Sequence, residues 1–396
     1  MFKNLIKRIL KKLITILLYI FDLIIPKKNN CLLFGSRAGQ QYGDNSRFLF
    51  EWIRENRPDL DVYYLTYDKK ILVSEDKDER IIPYHSMNAL KKLLRAKKIF
   101  ITHGIGDMPY QSLCIRAHEI YYLGHGISFK RTDLATKGGI PKKTMKLKKH
   151  SRRLYAFISS GIERLALHTY FGIPYNQIKI TGTPRNELLW KNIQNKNNDY
   201  PKLHNIFSFQ NKIQKTILYA PTYLPEEENA FFSFDDFNLE KLKQFLEKNN
   251  LFLFLRMHRN DLQRYRKTNG DLLYDRIKLL DFDLIPDINS ILHEFDILIT
   301  DFSSIFFDYF LVDRPIIYIT SKLEEYMEKI GFYFDYDNVT PGPKAKTFLE
   351  FIEALRECIV EPDKWKKERN LLTNLFHEYS KGDSCQKIME YCLKKR

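Results

Sequence analysis

A histidine between two glycines, Gly124-His125-Gly126, directly follows an apolar run and is followed by Ile127, Ser128, Phe129, Lys130 and Arg131. Glycines let a backbone turn sharply and approach a substrate closely. An imidazole, with an ordinary pKa of about 6.5, can there remove a proton from an attacking hydroxyl. Lys130 and Arg131 could hold phosphate oxygens beside it. A histidine in such a loop can also do no more than satisfy a carbonyl. A second cluster, Asp301-Phe302-Ser303-Ser304, ends an apolar run and opens a helical one, with Asp308 four residues beyond Ser304 on the same face. Free amides and hydroxyls at a helix start suit phosphate, and serine there also serves as an ordinary N-cap. A third, Arg256-Met257-His258, sets a guanidinium and an imidazole on one side of a strand end, where together they could neutralise a pyrophosphate. Arg185 after Gly182-Thr183-Pro184, Pro221-Thr222, and His103-Gly104 complete the set. Three Asp-x-Asp pairs, at 59–61, 281–283 and 335–337, could in principle hold a cation. Among 49 acidic residues such pairs arise by chance, so no metal is expected. No P-loop, dinucleotide fingerprint or nucleophile elbow occurs, and no cofactor is expected.

These clusters need elements that bring them together. Each follows a short run rich in Ile, Leu, Phe and Tyr: Cys31–Phe34, Ile99–Thr102, Ile120–Leu123, Ile178–Thr181, Ile217–Ala220, Leu251–Leu255 and Asp296–Thr300. Such runs read as buried strands. Helical stretches alternate with them, at Ser46–Asn56, Leu239–Asn249, Ser304–Val312 and Thr347–Val360. Alternation of this kind predicts an α/β protein with parallel sheets covered by helices. In open parallel sheets ligands bind outside the carboxyl ends of the strands, where the polar clusters lie. The Asn- and Lys-rich stretch 191–215 lacks periodicity and marks a break between two such units. The expected architecture is two doubly wound, Rossmann-like domains facing across a cleft, residues 29–195 and 196–396, preceded by a helical segment at 1–28.

That first segment has Phe2, Leu5, Ile6, Ile9, Leu10 and Leu13 at helical spacing, with Lys3, Lys7, Arg8, Lys11 and Lys12 on the other face. The following apolar run, Leu13 to Ile25, is interrupted by Thr15 and Asp22 and stopped by Pro26. A membrane span needs about 20 apolar residues, so an interfacial helix with its cations on anionic headgroups fits better. The alternatives are a helix packed on its own domain or another subunit, and a signal peptide, although no small-residue cleavage site follows Ile25. The net charge of +15 adds to the attraction for anionic partners without choosing among them. Five cysteines, an odd count without a Cys-x-x-Cys pair, point to a reducing compartment.

In order and wording, the stretches YGDNSRFLFEWI, AKKIFITH, LGHGISFKR, ITGTPRNELL, ILYAPTYLP, FLFLRMHRN, ILITDFSSIFFDYFLVDRPIIYI, EEYMEKIGFYFDYDNVTPGP and KGDSCQKI resemble the CDP-glycerol glycerophosphotransferases, the teichoic-acid primases and polymerases. The resemblance spans roughly residues 31–390. It departs from the family pattern at Gly124, at Ile127-Ser128-Phe129 and at Arg259. It implies a GT-B-like fold. It also implies transfer of glycerol phosphate, or a related alcohol phosphate, from CDP-glycerol to a hydroxyl of a lipid-linked or polymeric cell-envelope glycan, with release of CMP. The setting it implies is the cytoplasmic face of the membrane, in teichoic-acid or capsule-type synthesis.

By the same resemblance His125 is the general base, and Gly126, Ile127, Ser128 and Phe129 line the donor. Arg185, Pro221 and Thr222 touch the nucleotide or its phosphates. Arg256, Met257 and His258 hold the pyrophosphate, Ser303 and Ser304 bind phosphate, and Asp308 fixes part of the donor. The alternatives are a nucleotide-sugar glycosyltransferase of similar architecture, and a non-catalytic membrane-surface or nucleic-acid-binding protein. The last would leave the strand-end clusters without a purpose, and no nucleic-acid partner is expected.

Overall fold

The computed structural model describes residues 2–74, 78–111, 113–115, 117–132, 135–136, 154–195, 201–207, 215–222, 232–257, 275–379 and 382–394. His258 and the basic stretch 137–153 lie outside the described residues. β1 (Lys28–Phe34), β2 (Asp61–Thr66), β3 (Ile81–Pro83), β4 (Ala96–Ile101), β5 (Glu119–Tyr122), β6 (Leu154–Ile158) and β7 (Ile178–Ile180) form one sheet in the order β3-β2-β1-β4-β5-β6-β7. β8 (Lys215–Tyr219), β9 (Leu251–Leu255), β10 (Ile277–Leu279), β11 (Ile297–Thr300), β12 (Ile316–Ile319) and β13 (Lys344–Ala345) form the second, in the order β10-β9-β8-β11-β12-β13. All pairings within both sheets are parallel.

The seven strands expected from the apolar runs all form, within a few residues at their ends. Their composition has a plain cause. Parallel strands are covered by helices on both faces, so Leu32, Leu33 and Phe34 in succession are fully buried, as are Ile297, Leu298 and Ile299. All five cysteines are buried in the interior, and none forms a disulfide. The strand order reverses between β1 and β4 in the first sheet and between β8 and β11 in the second. At such a reversal the loops leaving the two strands diverge and open a crevice. The 35–43 and 102–107 loops flank one crevice, the 220–222 and 301–304 loops the other.

The two units interlock beyond a simple hinge. After β5 the chain carries Ile127 and Phe129 into the core of the second unit, where the Phe129 ring stacks on Phe332 at 4.2 Å and meets Phe306 edge-on at 5.2 Å. Burying one such ring contributes roughly 2–3 kcal/mol. Lys130 then pairs antiparallel with Phe332, and Tyr333 N–H donates to the Phe129 carbonyl. The helix Pro184–Gln194 adds Leu189 to the same core.

In the other direction, the helix Lys366–Phe376 packs Leu372 and Phe376 on the second unit before the chain crosses back. The last helix, Ser384–Lys394, buries Cys385, Ile388, Met389 and Cys392 against Phe34, Tyr121 and Phe157 of the first sheet. The C-terminal residues thus pack with the first sheet, although a boundary drawn at 195/196 assigns them to the second.

The N-terminal segment is a helix, Phe2–Ile24. Its C-terminal end is docked: Leu18 and Tyr19 lean on the first core, and Asp22 is fully buried. The Asp22 carboxylate accepts from Lys27 Nζ at 2.6 Å and His118 Nε2 at 2.9 Å, while His118 Nδ1 donates to the Ala96 carbonyl. The aspartate that interrupts the apolar run is therefore the residue that fastens the helix. Leu13, Ile14, Ile16, Leu17, Ile20, Phe21, Leu23 and Ile24 stay exposed.

Candidate active site

A cavity of about 230 Å³ lies between the two switch points. From the first unit it is lined by Arg37, Gln41, Asp44, His103, His125 and Arg185; from the second by Pro221, Arg256, Met257, Ser303, Ser304 and Asp308, among others.

His125 Nδ1 lies 3.1 Å from the Thr102 carbonyl oxygen. A carbonyl can only accept, so Nδ1 carries the hydrogen and Nε2 keeps the free lone pair. The satisfied loop carbonyl thus selects the tautomer in which Nε2 can accept a proton. The His103 ring stacks on His125, centroids 4.1 Å apart and 7° from parallel. Burial, helped by His125, Arg37 and Arg185 nearby, pushes His103 down to about 2. His103 therefore stays neutral beside His125.

Beneath the pair, Asp107 is almost wholly buried and accepts from the N–H groups of Ala38, Thr102 and His103, each at 2.8 Å. It staples the two loops of the first crevice. No short motif marks it in the sequence, because one of its partners, Ala38, lies at a different strand end 69 residues away. Asp301 does the same work in the second crevice, accepting from the N–H groups of Thr222, Phe302 and Ser303. Two amides expected to greet a phosphate are thereby occupied. The helix they precede is also short, Ile305–Tyr309, before a 3-10 turn. The Ser304 side chain caps nothing, and its hydroxyl lines the cavity with that of Ser303.

Lys130 Nζ donates to Thr222 Oγ1 at 3.1 Å, and burial, partly offset by Asp301, lowers this lysine to about 8. Arg256 donates to the Leu280 and Pro286 carbonyls and packs flat on Phe282, 3.7 Å from the ring centre. The Asp-x-Asp pairs have local uses: Asp59 pairs with Arg57, Asp281 closes its own turn, and Asp335 caps the helix Tyr336–Val339. Among the described residues no group of three or more His, Cys, Asp or Glu side chains could hold a metal ion.

Ile127, Ser128 and Phe129 do not line the cavity. The first and last are core residues of the second unit, and Ser128 bonds the Tyr170 hydroxyl. Their stretch is apolar because it crosses between domains. Arg185 reaches the cavity wall with its terminal nitrogens already engaged. Nη1 donates to the His125 carbonyl at 2.6 Å, and Nη2 to Asp308 Oδ2 at 2.5 Å. Its backbone N–H is held by Asn45 Oδ1, and the Asn45 amide donates to the Leu123 and Gly124 carbonyls. Arg185 thus ties the histidine loop to the second unit. Gly126 sits under this clasp at φ +135°, and a Cβ there would meet Arg185 Nη2 at 2.6 Å. Asp308 Oδ1 is buried without a hydrogen-bond partner.

Behind the clasp lies Glu163, which accepts from Ser159 N–H at 2.8 Å; burial raises it from 4.5 to about 7, with Arg185 opposing. Between pH 4.5 and 7 the folded chain keeps a proton that the unfolded chain has released. Stability from this group is therefore present below pH 4.5 and is lost as pH rises through 7, with a slope approaching 1.4 kcal/mol per pH unit. His377, lowered by burial, acts in the opposite sense below its ordinary pKa. The Glu163→Gln variant keeps an acceptor for Ser159. Its stability relative to wild type should therefore climb from pH 5 to 8 in denaturant titrations. A difference that stays flat with pH would show that Glu163 is ionised in the fold.

Comparisons with known proteins place the chain in a family. The chain is 28% identical over 417 residues to a teichoic acid poly(glycerol phosphate) polymerase of Bacillus spizizenii, covering 98% of this chain and 99% of that one. It is 28% identical over 408 residues to a teichoic acid glycerol-phosphate transferase of Staphylococcus aureus, covering 98% and 100%. Its fold is that of the wall teichoic acid polymerase TagF in a structure soaked with CDPG, with a TM-score of 0.80 at 18% identity over 99% of this chain and 98% of the other. The family model for CDP-Glycerol:Poly(glycerophosphate) glycerophosphotransferase matches residues 17–394, and the chain belongs to that family.

Proposed function

We propose that this enzyme transfers glycerol phosphate, or a closely related alcohol phosphate, from a CDP-alcohol to a hydroxyl of a lipid-linked or polymeric cell-envelope glycan, as in teichoic-acid or capsule-type synthesis. The carrying observation is His125, whose Nδ1–H is fixed on the Thr102 carbonyl while Ser303, Ser304 and Arg256 line the same cavity from the other sheet. The acceptor hydroxyl gives its proton to His125 Nε2 as its oxygen forms a bond to the phosphorus bearing the glycerol. The bond from that phosphorus to the bridging oxygen breaks, and CMP leaves with the electron pair. Ser303, Ser304 and Arg256 meet the growing charge with donors already in place, which is where such transfers gain most of their rate. Asp308 Oδ1, buried and unpartnered, is available to a hydroxyl of the donor alcohol.

Incubation of the full chain with a lipid-linked acceptor and, in turn, CDP-glycerol, CDP-ribitol and nucleotide sugars tests this reading. CMP release and a mass gain of one alcohol phosphate are expected with a CDP-alcohol. Consumption of only a nucleotide sugar would overturn the reading and favour the glycosyltransferase alternative.

The enzyme works, in this proposal, at an anionic membrane surface on the cytoplasmic side. The exposed apolar row from Leu13 to Ile24, fastened to the catalytic body through Asp22, supports that placement. No helix among the described residues is long and apolar enough to cross a membrane. Flotation with anionic phospholipid vesicles should carry the wild-type chain. The Leu17→Glu/Phe21→Glu variant should bind at least about 10-fold more weakly, since each buried large apolar side chain contributes roughly 1.5–3 kcal/mol. Equal flotation of the two would remove the helix from the membrane contact.

A further inference from the structure

Arg37 occupies a position that the transfer reaction described above leaves without a task. It opens the loop after β1, at the switch point of the first sheet, and lines the cavity beside His103 and His125. Its backbone is left-handed (φ +46°), and so is that of the next two residues, Ala38 at +53° and Gly39 at +78°. Residues other than glycine rarely adopt this conformation. Here the turn is held by Asp107 on Ala38 N–H and by the Ser36 carbonyl on Gly39 N–H. The surrounding structure therefore fixes the direction in which Arg37 leaves the chain. Its guanidinium forms no ion pair or side-chain hydrogen bond with any described residue. The other two arginines of this cavity are fastened: Arg185 to Asp308 and the His125 carbonyl, Arg256 to the 280 and 286 carbonyls. A guanidinium held in a cavity wall without a partner among the described residues is a ready anion site with bidentate geometry.

The side of the cavity indicates which anion. Arg37, His103 and His125 all come from the first sheet, whereas Ser303, Ser304, Pro221 and Arg256 come from the second. The attacking hydroxyl must meet His125 Nε2, so the acceptor enters on the first-sheet side. An acceptor that already ends in a glycerol phosphate carries a phosphodiester at the other end of the same glycerol. That phosphate follows the attacking hydroxyl into the region of Arg37. A sugar hydroxyl without a neighbouring phosphate offers Arg37 nothing.

We propose that Arg37 is an acceptor-phosphate subsite, which makes the enzyme prefer acceptors already ending in a glycerol phosphate over bare sugar hydroxyls. This inference rests on the alcohol-phosphate transfer proposed above, and it assigns the chain to extension rather than to the first addition.

Two measurements on the whole 396-residue chain test it. In the first, transfer is followed with a lipid-linked sugar and with the same lipid extended by one glycerol phosphate unit. Wild type should favour the extended acceptor in kcat/KM. Arg37→Ala should lower that preference by about 10- to 100-fold, the range for loss of a charge-assisted pair, chiefly through the acceptor KM. Arg37→Lys should restore part of it. In the second, glycerol 3-phosphate binding is measured without any donor; Arg37→Ala should weaken it by a similar factor.

Equal loss on both acceptors would overturn the subsite, as would glycerol 3-phosphate binding unchanged by Arg37→Ala. A rise in the CDP-glycerol KM as large as that for the acceptor would reassign Arg37 to the donor phosphates and also overturn it. Failure of wild type to transfer from any CDP-alcohol would instead sink the underlying reading. The binding measurement would still decide the role of Arg37.

Discussion

Replacement of His125 by alanine should lower kcat by at least about 10³-fold while leaving the affinity for CDP-glycerol within about threefold of wild type. General-base catalysis contributes typically 10²–10⁴ in rate. The larger end applies here because no described neighbour can take over. His103, 4.1 Å away in the stack, has its Nδ1 on the Thr102 hydroxyl and lies in a plane parallel to His125, so it cannot move into the vacated position without leaving that bond. The donor affinity should survive because the groups proposed to hold the phosphates come from the second sheet.

His125→Gln sharpens the test. Its side-chain amide can keep the bond to the Thr102 carbonyl, yet it cannot accept a proton at neutral pH. Both variants should lose the acidic limb of the kcat/KM profile, and single-turnover measurements should place the loss in the chemical step. A glutamine variant retaining more than a tenth of the wild-type rate would mean that the acceptor hydroxyl is deprotonated by something else.

The positions of the chemical groups were legible in the sequence because each follows its own strand, and strand ends in parallel sheets converge. His125, Ser303, Ser304, Pro221, Arg256 and Asp308 line one cavity for that reason. What the groups do there was less legible, because it depends on partners far away in the chain. Arg185 has the residue type of a phosphate ligand, but its guanidinium is claimed by Asp308, 123 residues distant. Phe129 sits four residues after His125 in sequence, yet it belongs to a core built by Phe306, Phe307 and Phe332. Asp107 carries no local signature, and Asp301 stands out only as the start of a serine cluster, not as a loop staple. Each is recognisable only once three backbone N–H groups from two loops are seen to point at it. The return of the last helix to the first sheet is hidden for a similar reason. An amphipathic helix shows that it has an apolar face, and not which of two apolar surfaces will cover it.

Arg185→Ala should be the most damaging substitution among residues that need not touch the substrate. It strands the Asp308 carboxylate, 2% exposed, beside a cavity wall without its cation. Breaking a buried pair from one side costs about 3–5 kcal/mol. It also frees the His125 carbonyl, and a displacement of about 1 Å at a catalytic group can cost 10²-fold in rate. Stability and rate would then fall together, and a single variant could not separate them.

The double variant Arg185→Met/Asp308→Leu separates them. Replacing a buried ion pair by apolar side chains of similar size is often neutral for stability. The double variant should therefore recover most of the lost unfolding free energy while kcat stays depressed by about 10²-fold, since the His125 carbonyl then loses its own tie to the second unit and only the packing of Ile127 and Phe129 further along still holds the loop. Gly126→Ala approaches the same clasp from the other side, pushing on Arg185 Nη2 with a methyl group, and should lower kcat with a smaller loss of stability. If the double variant instead regained wild-type kcat along with its stability, Arg185 would be a structural strut only. The orientation of His125 would then be set by the Thr102 carbonyl alone.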